Sequence, residues 1–385
     1  MTATCVPLAA AAMPFGLRAD MAAALLVKSP GARTLVQDTG FRNGRCQGVP
    51  ACGVLDRSAL RLVNALLGNA PGTEVLEVAL SSPVLVATEG PVRVAISGTL
   101  RGTVQRPDGS SRPIGVWTAT TLAPGDALHL QPPERFAIGL IGIRGGLDLP
   151  LCLDSRSTCL AAGFGGVMGR SLQAGDLLRL RDLAGPVLDH DLCVTEDIDS
   201  ATGPIRVVAG PQHEWLDPDG AAAFFGSSYT VTPQLDRMGM RLDGQKLSFL
   251  PGKTADIISD GAAPGAIQVP GSGQPIILLA DAQTTGGYPK VATVIRSDLP
   301  RLSACVPGDR LTFRSVSIAE AEGIAAAHEA RIKAAIDSIG PAFDPGMIEG
   351  RLRSVSLIGG AVDMARPDHF PGHLYSGKEE SNPCD

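Results

Sequence analysis

Within residues 281–290 the chain gathers a carboxylate (Asp281), an amide (Gln283), two hydroxyls (Thr284, Thr285), a phenol (Tyr288) and an amine (Lys290). Gly286 and Gly287 sit among them, and glycine lets a backbone turn tightly and approach a ligand closely. A connecting turn is built from Gly, Asn, Asp or Pro and has no use for so many different donors and acceptors. A polar hairpin loop is the plain alternative. The variety instead favours hydrogen-bonded capture of a polar ligand, with proton-transfer groups at hand.

Two apolar runs would hold this segment: Ile276, Ile277, Leu278 and Leu279 before it, and Val291, Ala292, Val294 and Ile295 after it. Both predict buried strands by length and by Ile and Val content. Further strands are predicted over residues 84–87, 92–97, 114–121, 136–143 and 205–208. The turn Arg106-Pro-Asp-Gly109 is expected to join the second and third of these as a hairpin. Three segments repeat one device, a Gly-Asp turn followed by alternating apolar positions, at Gly125-Asp126, Gly175-Asp176 and Gly308-Asp309. Their uneven spacing rules out a solenoid.

Two helices stand out. One is capped by Asp56 and runs to Gly68, with Ala59, Leu60, Val63, Leu66 and Leu67 on its buried face and Arg57, Arg61 and Asn64 opposite. The other opens on the capping box Ser317-x-x-Glu320. It carries Ile324, His328, Ile332, Ile336 and Ile339 at helical spacing and stops at Gly340-Pro341. His328 on that apolar face reads as a packed core histidine.

With 46 Gly and 30 Pro among 385 residues, the chain is punctuated too often for long helices. The expected fold class is mainly β (α+β) with a few peripheral helices. The length predicts two β-rich domains, 25–185 and 204–315, joined by an acidic linker at 186–203. A flexible extension (1–24) precedes them, and a C-terminal helix (316–340) and a tail (341–385) follow. His369 and His373 belong to that tail, which reads as disordered. A formal net charge of −6 without a basic stripe argues against nucleic acid and anionic membranes as partners. The Ala-rich start lacks a basic region ahead of its apolar stretch and is interrupted by Pro14, so no signal peptide is expected. No apolar run approaches the roughly 18 residues that span a bilayer, and the cytoplasm is the expected location. Eight cysteines form no Cys-x-x-Cys pair and no Cys/His ligand spacing, so reduced thiols and no metal site are expected.

Several common devices are missing. Pro251-Gly-Lys-Thr254 resembles the end of a phosphate-binding loop, but Leu247 stands where its first glycine belongs. Gly163-Phe-Gly-Gly-Val-Met-Gly169 lacks dinucleotide spacing, and no nucleophile elbow, His-Glu-x-x-His or Met-Lys-Met biotin-attachment sequence occurs. No cofactor held by this chain alone is expected.

The ordered segments Thr34-Leu-Val-Gln-Asp-Thr-Gly40, Arg144-Gly-Gly-Leu-Asp148, Gly163-Phe-Gly-Gly166, Gly210-Pro-Gln212, Ser228-Tyr-Thr-Val-Thr-Pro233, Asp236-Arg-Met-Gly239, Ala263-Pro-Gly-Ala-Ile-Gln-Val-Pro270 and Gln283-Thr-Thr-Gly-Gly-Tyr-Pro289 carry a resemblance. Together they resemble the biotin-dependent carboxyltransferase family, also called the allophanate-hydrolase subunit 2 family, from Leu25 to Ser315. That family includes the C subunit of 5-oxoprolinase, an antagonist of a sporulation-kinase inhibitor, and part of the carboxyltransferase domain of urea carboxylase. The resemblance implies cyclophilin-like β-barrels and a subunit 1 family partner (the B-type subunit of 5-oxoprolinase) that completes the active cleft. In oxoprolinase-type complexes a lactam-hydrolase A subunit joins, and the assembly uses ATP to open 5-oxo-L-proline to L-glutamate. In urea-carboxylase-type systems, carboxybiotin on another chain passes its carboxyl group to an amide nitrogen. The leading expectation is therefore an enzyme, a hydrolase subunit inactive without its partners. The alternatives are a carboxyltransferase component and a non-enzymatic regulator.

Both chemistries need donors for an amide oxygen that becomes more negative, and a group that manages a proton. Gln283, Thr284, Thr285, Gly286 and Gly287 are the expected ligand set. Tyr288 and Lys290 are expected to stabilise charge or act as acids, and Asp281 to act as base or orienting carboxylate. Ser228, Tyr229, Asp236 and Arg237 form a second expected set, in which Arg237 suits bidentate recognition of a carboxylate or phosphate. The plain alternative for Asp236 and Arg237 is an internal ion pair fixing a loop. Gln37, Asp38, Arg144 and Arg156 read as braces. Where the family usually has Gly-Arg, a serine and a tyrosine, this chain has Gly40-Phe41, Cys52 and Met240.

Overall fold

A computed structural model describes residues 23–131, 138–181, 188, 190–196, 198 and 202–342. The expectations for the N-terminal extension up to residue 22, for the linker carboxylates Asp189, Asp197 and Asp199, and for the tail with His369 and His373 lie outside the described residues. The architecture is mainly β, with four α-helices among the described residues.

Two antiparallel sheets enclose the first core. One has the order Leu177–Arg179, Ala24–Ser29, Val84–Thr88, Ala127–Gln131, Arg101–Gln105, Ser111–Ile114. The other runs Arg33–Gln37, Val75–Ala79, Gly139–Ile143, Val92–Ile96, Thr118–Leu122, Leu192–Val194, Ile339–Pro341. Leu25, Leu85, Val94, Ile96, Leu128 and Ile141 meet between them without solvent exposure. Fully burying such a side chain contributes roughly 1.5–3 kcal/mol.

The second core fills an eight-stranded sheet ordered Arg310–Leu311, Tyr229–Leu235, Gly239–Asp243, Ile276–Leu278, Ala266–Gln268, Lys290–Val294, Ile205–Ala209, Phe313–Ser315. Its two edges, Arg310–Leu311 and Phe313–Ser315, are consecutive in the chain, and the Thr312 carbonyl between them accepts from the Ile205 amide. The sheet therefore wraps into a nearly closed barrel, which leaves little open edge. Phe224 stacks on Phe313 inside it, and Tyr229 packs tilted against Phe313.

The Gly-Asp device recurs as predicted. Gly125, Gly175 and Gly308 have φ of +90, +91 and +95, a region glycine enters without strain. Asp126, Asp176 and Asp309 each accept a hydrogen bond from the backbone amide three residues earlier, at 2.7–3.0 Å. Each such turn feeds a strand.

Helix α1 spans Arg57–Leu67, with Asp56 accepting from Ala59 and Gly68 closing it in the left-handed region. Asn64 is buried rather than on the solvent face: its Nδ2 donates to the Thr73 carbonyl and its Oδ1 accepts from Asn69. Helices α2 (Pro218–Gly226) and α3 (Leu299–Ser303) are short. Helix α4 (Ile318–Asp337) has the expected capping box but ends at Ser338. Beyond it, Ile339–Pro341 pairs with Leu192–Val194 as a strand, because Gly340 and Pro341 disfavour a further helical turn and a free sheet edge accepts the chain. Residues 114–121 form two strands, not one, since Gly115 to Trp117 turn between them with Trp117 at φ +48. The 106–109 turn joins Arg101–Gln105 to Ser111–Ile114, a pair whose first strand the sequence pattern does not mark.

Candidate functional site

The segment 280–290 does not connect neighbours. Ile276–Leu278 and Lys290–Val294 both pair with Ala266–Gln268, which lies between them, so the segment crosses over the end of that strand. There it forms a small ribbon in which Thr285–Gly286 pairs with Asp260–Gly261. The Ala262 amide donates to the Thr284 carbonyl and the Ile257 amide to the Gly287 carbonyl. Gly286 lets Gln268 approach closely, since a Cβ would lie 2.5 Å from Gln268 Nε2 and push that side chain aside.

Lys290 is 3% exposed, and its Nζ donates to Asp260 Oδ2 at 3.0 Å while its backbone N–H donates to Gln212 Oε1 at 2.9 Å. Asp260 is more than half exposed, so the buried amine reaches the surface through its partner. The hydrogen bond from Lys290 holds the Asp260 carboxyl below its usual range. Gln283 Nε2 donates to Gln268 Oε1 at 3.3 Å, and Gln268 Nε2, fully buried, has no partner among the described residues. Arg45, the first residue of a 3₁₀ turn at Arg45–Gln47, reaches the same ribbon. Its Nη2 donates to the Ala262 carbonyl, while its buried Nη1 is likewise without a partner. Thr285 and Tyr288 are exposed, and Gln283 and Thr284 half-buried.

Asp281 sits at the other end of the segment and faces a different way. Arg237 Nε donates to Asp281 Oδ2 at 2.9 Å and Nη2 to Oδ1 at 2.7 Å. Arg237 also donates to Glu77 through Nη1 and to the Gly53 carbonyl through Nη2. All three charged groups are at least 94% buried. Burial alone would lower the Arg237 pKa, but Glu77 and Asp281 outweigh it and raise the guanidinium further above its ordinary value. The Arg237 donors are thus engaged by the protein, which is the ion-pair arrangement and not open bidentate recognition of a substrate.

The remaining members of the second set are dispersed. Asp236 caps its own turn, accepting from the amides of Met238 and Gly239. The Tyr229 ring is wholly buried in the barrel core, with its hydroxyl donating to the Ala223 carbonyl. Ser228 Oγ accepts from Arg310. Asp38 is a brace: Gly40 and Arg156 amides and the Ser155 and Ser157 hydroxyls all donate to its carboxylate, at 2.6–2.7 Å. Cys52 lies against Cys159, and burial and then the Asp281 charge push its thiol far up.

The structure therefore brings Gln283, Thr284, Thr285, Gly286, Gly287 and Lys290 together, and adds Asp260, Gln268, Gln212 and Arg45. Of these additions, Gln212 and Gln268 fall in segments that carry the family resemblance, whereas Arg45 and Asp260 have no local signal. Among the described residues no group of three His, Cys, Asp or Glu could hold a metal ion, and no helix is long and apolar enough to cross a membrane.

Residues 47–315 match the family described as carboxyltransferase domain, subdomain A and B. The chain is 35% identical over 297 residues to the C subunit of 5-oxoprolinase from Escherichia coli, covering 76% of this chain and 91% of that protein. It is 34% identical to the corresponding 5-oxoprolinase chain of Haemophilus influenzae, covering 75% and 90%. The crystal structure of Kluyveromyces lactis urea carboxylase superimposes with a TM-score of 0.71 at 25% identity, covering 83% of this chain and 30% of that one.

Proposed function

This chain belongs to the carboxyltransferase domain family, subdomains A and B, and on that premise we propose that it is the C-type subunit of a 5-oxoprolinase. The observation that carries this reading is the match to the C subunit of 5-oxoprolinase across nine-tenths of that protein's length, with the polar ribbon at 285–286 inside the matched family region. In the reaction, water adds to the lactam carbonyl of 5-oxo-L-proline, the ring C–N bond breaks, and ATP hydrolysis drives the opening to L-glutamate. The lactam oxygen gains negative charge as its carbonyl is attacked, and preorganised donors stabilise that charge. Here the Lys290 ammonium, the Gln268 and Gln283 amides and the Gly286–Gly287 backbone are assigned that part, with Tyr288 at the rim. The Asp260 carboxylate holds the Lys290 ammonium in position and keeps it charged. ATP and the remaining catalytic groups are assigned to a subunit 1 family partner and a lactam-hydrolase subunit in a cytoplasmic complex.

The likeness to urea carboxylase supports a second reading, carboxyl transfer from carboxybiotin carried on another chain to an amide nitrogen. Co-expression with the subunit 1 family partner and the lactam-hydrolase subunit separates the two. The first reading requires co-elution on size-exclusion chromatography and ATP-dependent glutamate release from 5-oxo-L-proline that none of the chains supports alone. Full turnover by the isolated chain, or turnover only with bicarbonate and a biotinylated protein, rejects it. A complex that forms without either activity would indicate a regulator.

A further inference from the structure

A cavity of about 530 Å³ lies beneath helix α4, between α1, α3 and the seven-stranded sheet. It shares no lining residue with the ribbon around Lys290, so a ligand held here is independent of the function proposed above. Its size falls within the range of small-molecule sites, and a few polar groups converge on a mainly apolar wall, as in such sites.

The apolar wall is formed by Ala59 and Leu62 of α1, Trp117 and Leu140 of the sheet, and Ile324 and Ile332 of α4. Trp117 is held there at some cost. Its backbone occupies the left-handed region, rare for a bulky residue, and its indole lies so close to Gly98 that a Cβ at that position would meet Nε1 at 2.3 Å.

The polar groups cluster at one end. Ser58 Oγ and His328 Nε2 are 2.8 Å apart. Burial, then the neighbouring Arg331, lowers the His328 pKa and favours the neutral ring. When Ser58 donates to Nε2, the ring proton sits on Nδ1. Arg331 follows His328 by three positions and so stands beside it on the same helix face. The other two arginines on the cavity wall, Arg206 and Arg301, are both engaged by Asp298. Arg331 is exposed at the cavity wall and forms no ion pair with a described carboxylate. Asp56 is committed to capping α1. The remaining rim carboxylate, Glu196, is exposed and is anchored through its backbone amide to Ser338, seven residues and roughly 10 Å along the helix from Arg331.

We propose that this cavity binds a small monocarboxylic acid with an aliphatic body, its carboxylate held between Arg331 and the Ser58–His328 pair and its chain against Leu62, Trp117 and Ile332. An apolar body fills the wall without unsatisfied polar groups, and the carboxylate supplies a counter-charge for Arg331.

The chain contains two tryptophans, so Trp215→Phe leaves Trp117 as the sole fluorescent reporter of the cavity. Titration of that variant with 4-methylpentanoate should give a saturable change in emission, and 3-methylbutylammonium, of similar shape and opposite charge, should give none. Arg331→Gln should weaken the carboxylate about tenfold, the loss expected for one charge-assisted contact. Ala327→Phe, which fills the space from α4, should abolish binding while the melting transition is kept. Calorimetric titration of the unaltered chain provides the same readout should Trp215→Phe not fold. The proposal is overturned by absence of saturable carboxylate binding in the unaltered chain, by equal binding of the ammonium probe, or by an Arg331→Gln variant that binds as tightly as its parent.

Discussion

Arg237 and Asp281, 44 positions apart, face each other through two hydrogen bonds of 2.7 and 2.9 Å, and the same guanidinium reaches across to Glu77 on a strand of the first core. One side chain thus ties the polar segment of the barrel to the sheet beside it. Breaking a buried pair by removing one partner leaves uncompensated charge, which costs about 3–5 kcal/mol. Arg237→Met should lower the free energy of urea unfolding by that amount, because Glu77 and Asp281 are left together without a counter-charge. A change below about 1 kcal/mol, the scale of an exposed pair, would show that the triad is hydrated in solution.

Lys290→Met should preserve folding and partner binding and reduce turnover of the assembled enzyme about 10²-fold, the loss associated with one preorganised charge donor. Steady-state kinetics on the purified complex decide it. Near-normal turnover would make Lys290 a structural residue that merely satisfies Asp260.

Cys52 is expected to be chemically silent. Its thiol is buried, and both burial and the Asp281 charge disfavour the thiolate that any nucleophilic role needs. Cys52→Ser should leave activity within a few-fold of the parent. A loss of several hundred-fold in a folded complex would contradict this.

Acidification should weaken the chain through His328. Burial lowers its folded-state pKa, whereas the unfolded ring titrates near its usual value of about 6.5. As the pH falls below that value, the unfolded chain takes up a proton that the folded chain resists, so stability declines until the folded ring is also protonated. The melting temperature should therefore drop more between pH 7.5 and pH 5.5 (roughly one unit either side of that pKa) in the parent than in His328→Gln. Equal drops would mean that His328 titrates alike in both states.

Asp38→Asn should cost about 2–4 kcal/mol, because four donors converge on the carboxylate and an amide group can accept at only one of its two terminal atoms. Urea unfolding measures the loss. The damage should centre on residues 155–157, which the carboxylate holds in place, and hydrogen exchange there should accelerate.

Short-range patterns in the chain foretell a good part of this. The Gly-Asp turns, the Asp56 and Ser317 caps and the apolar runs flanking residues 281–290 all act over a few positions, and the structure has each of them where the pattern puts it. Pairing partners are another matter. Nothing near residue 280 announces that Ala266–Gln268 separates Ile276–Leu278 from Lys290–Val294, since register depends on strands far apart in sequence. Arg237 meets Glu77 across 160 positions, and a single charged residue carries no periodicity that could point to its partner. Asn64 is similar: polar type suggests solvent, and only the Thr73 carbonyl and Asn69 amide that bond to it explain its burial.

The strand Ile339–Pro341 completes the seven-stranded sheet by pairing with Leu192–Val194, yet the whole barrel is encoded between the two. A ribosome adding roughly 5–20 residues per second therefore takes on the order of ten seconds to deliver the closing strand after its mate has emerged. Throughout that interval Leu192–Val194, paired on one side with Thr118–Leu122, leaves its other edge open with Cys193 at its centre, the kind of edge that recruits strands from other molecules. A chain released before Ile339 would keep that edge permanently, and only its shortness, three residues, would limit pairing with other molecules.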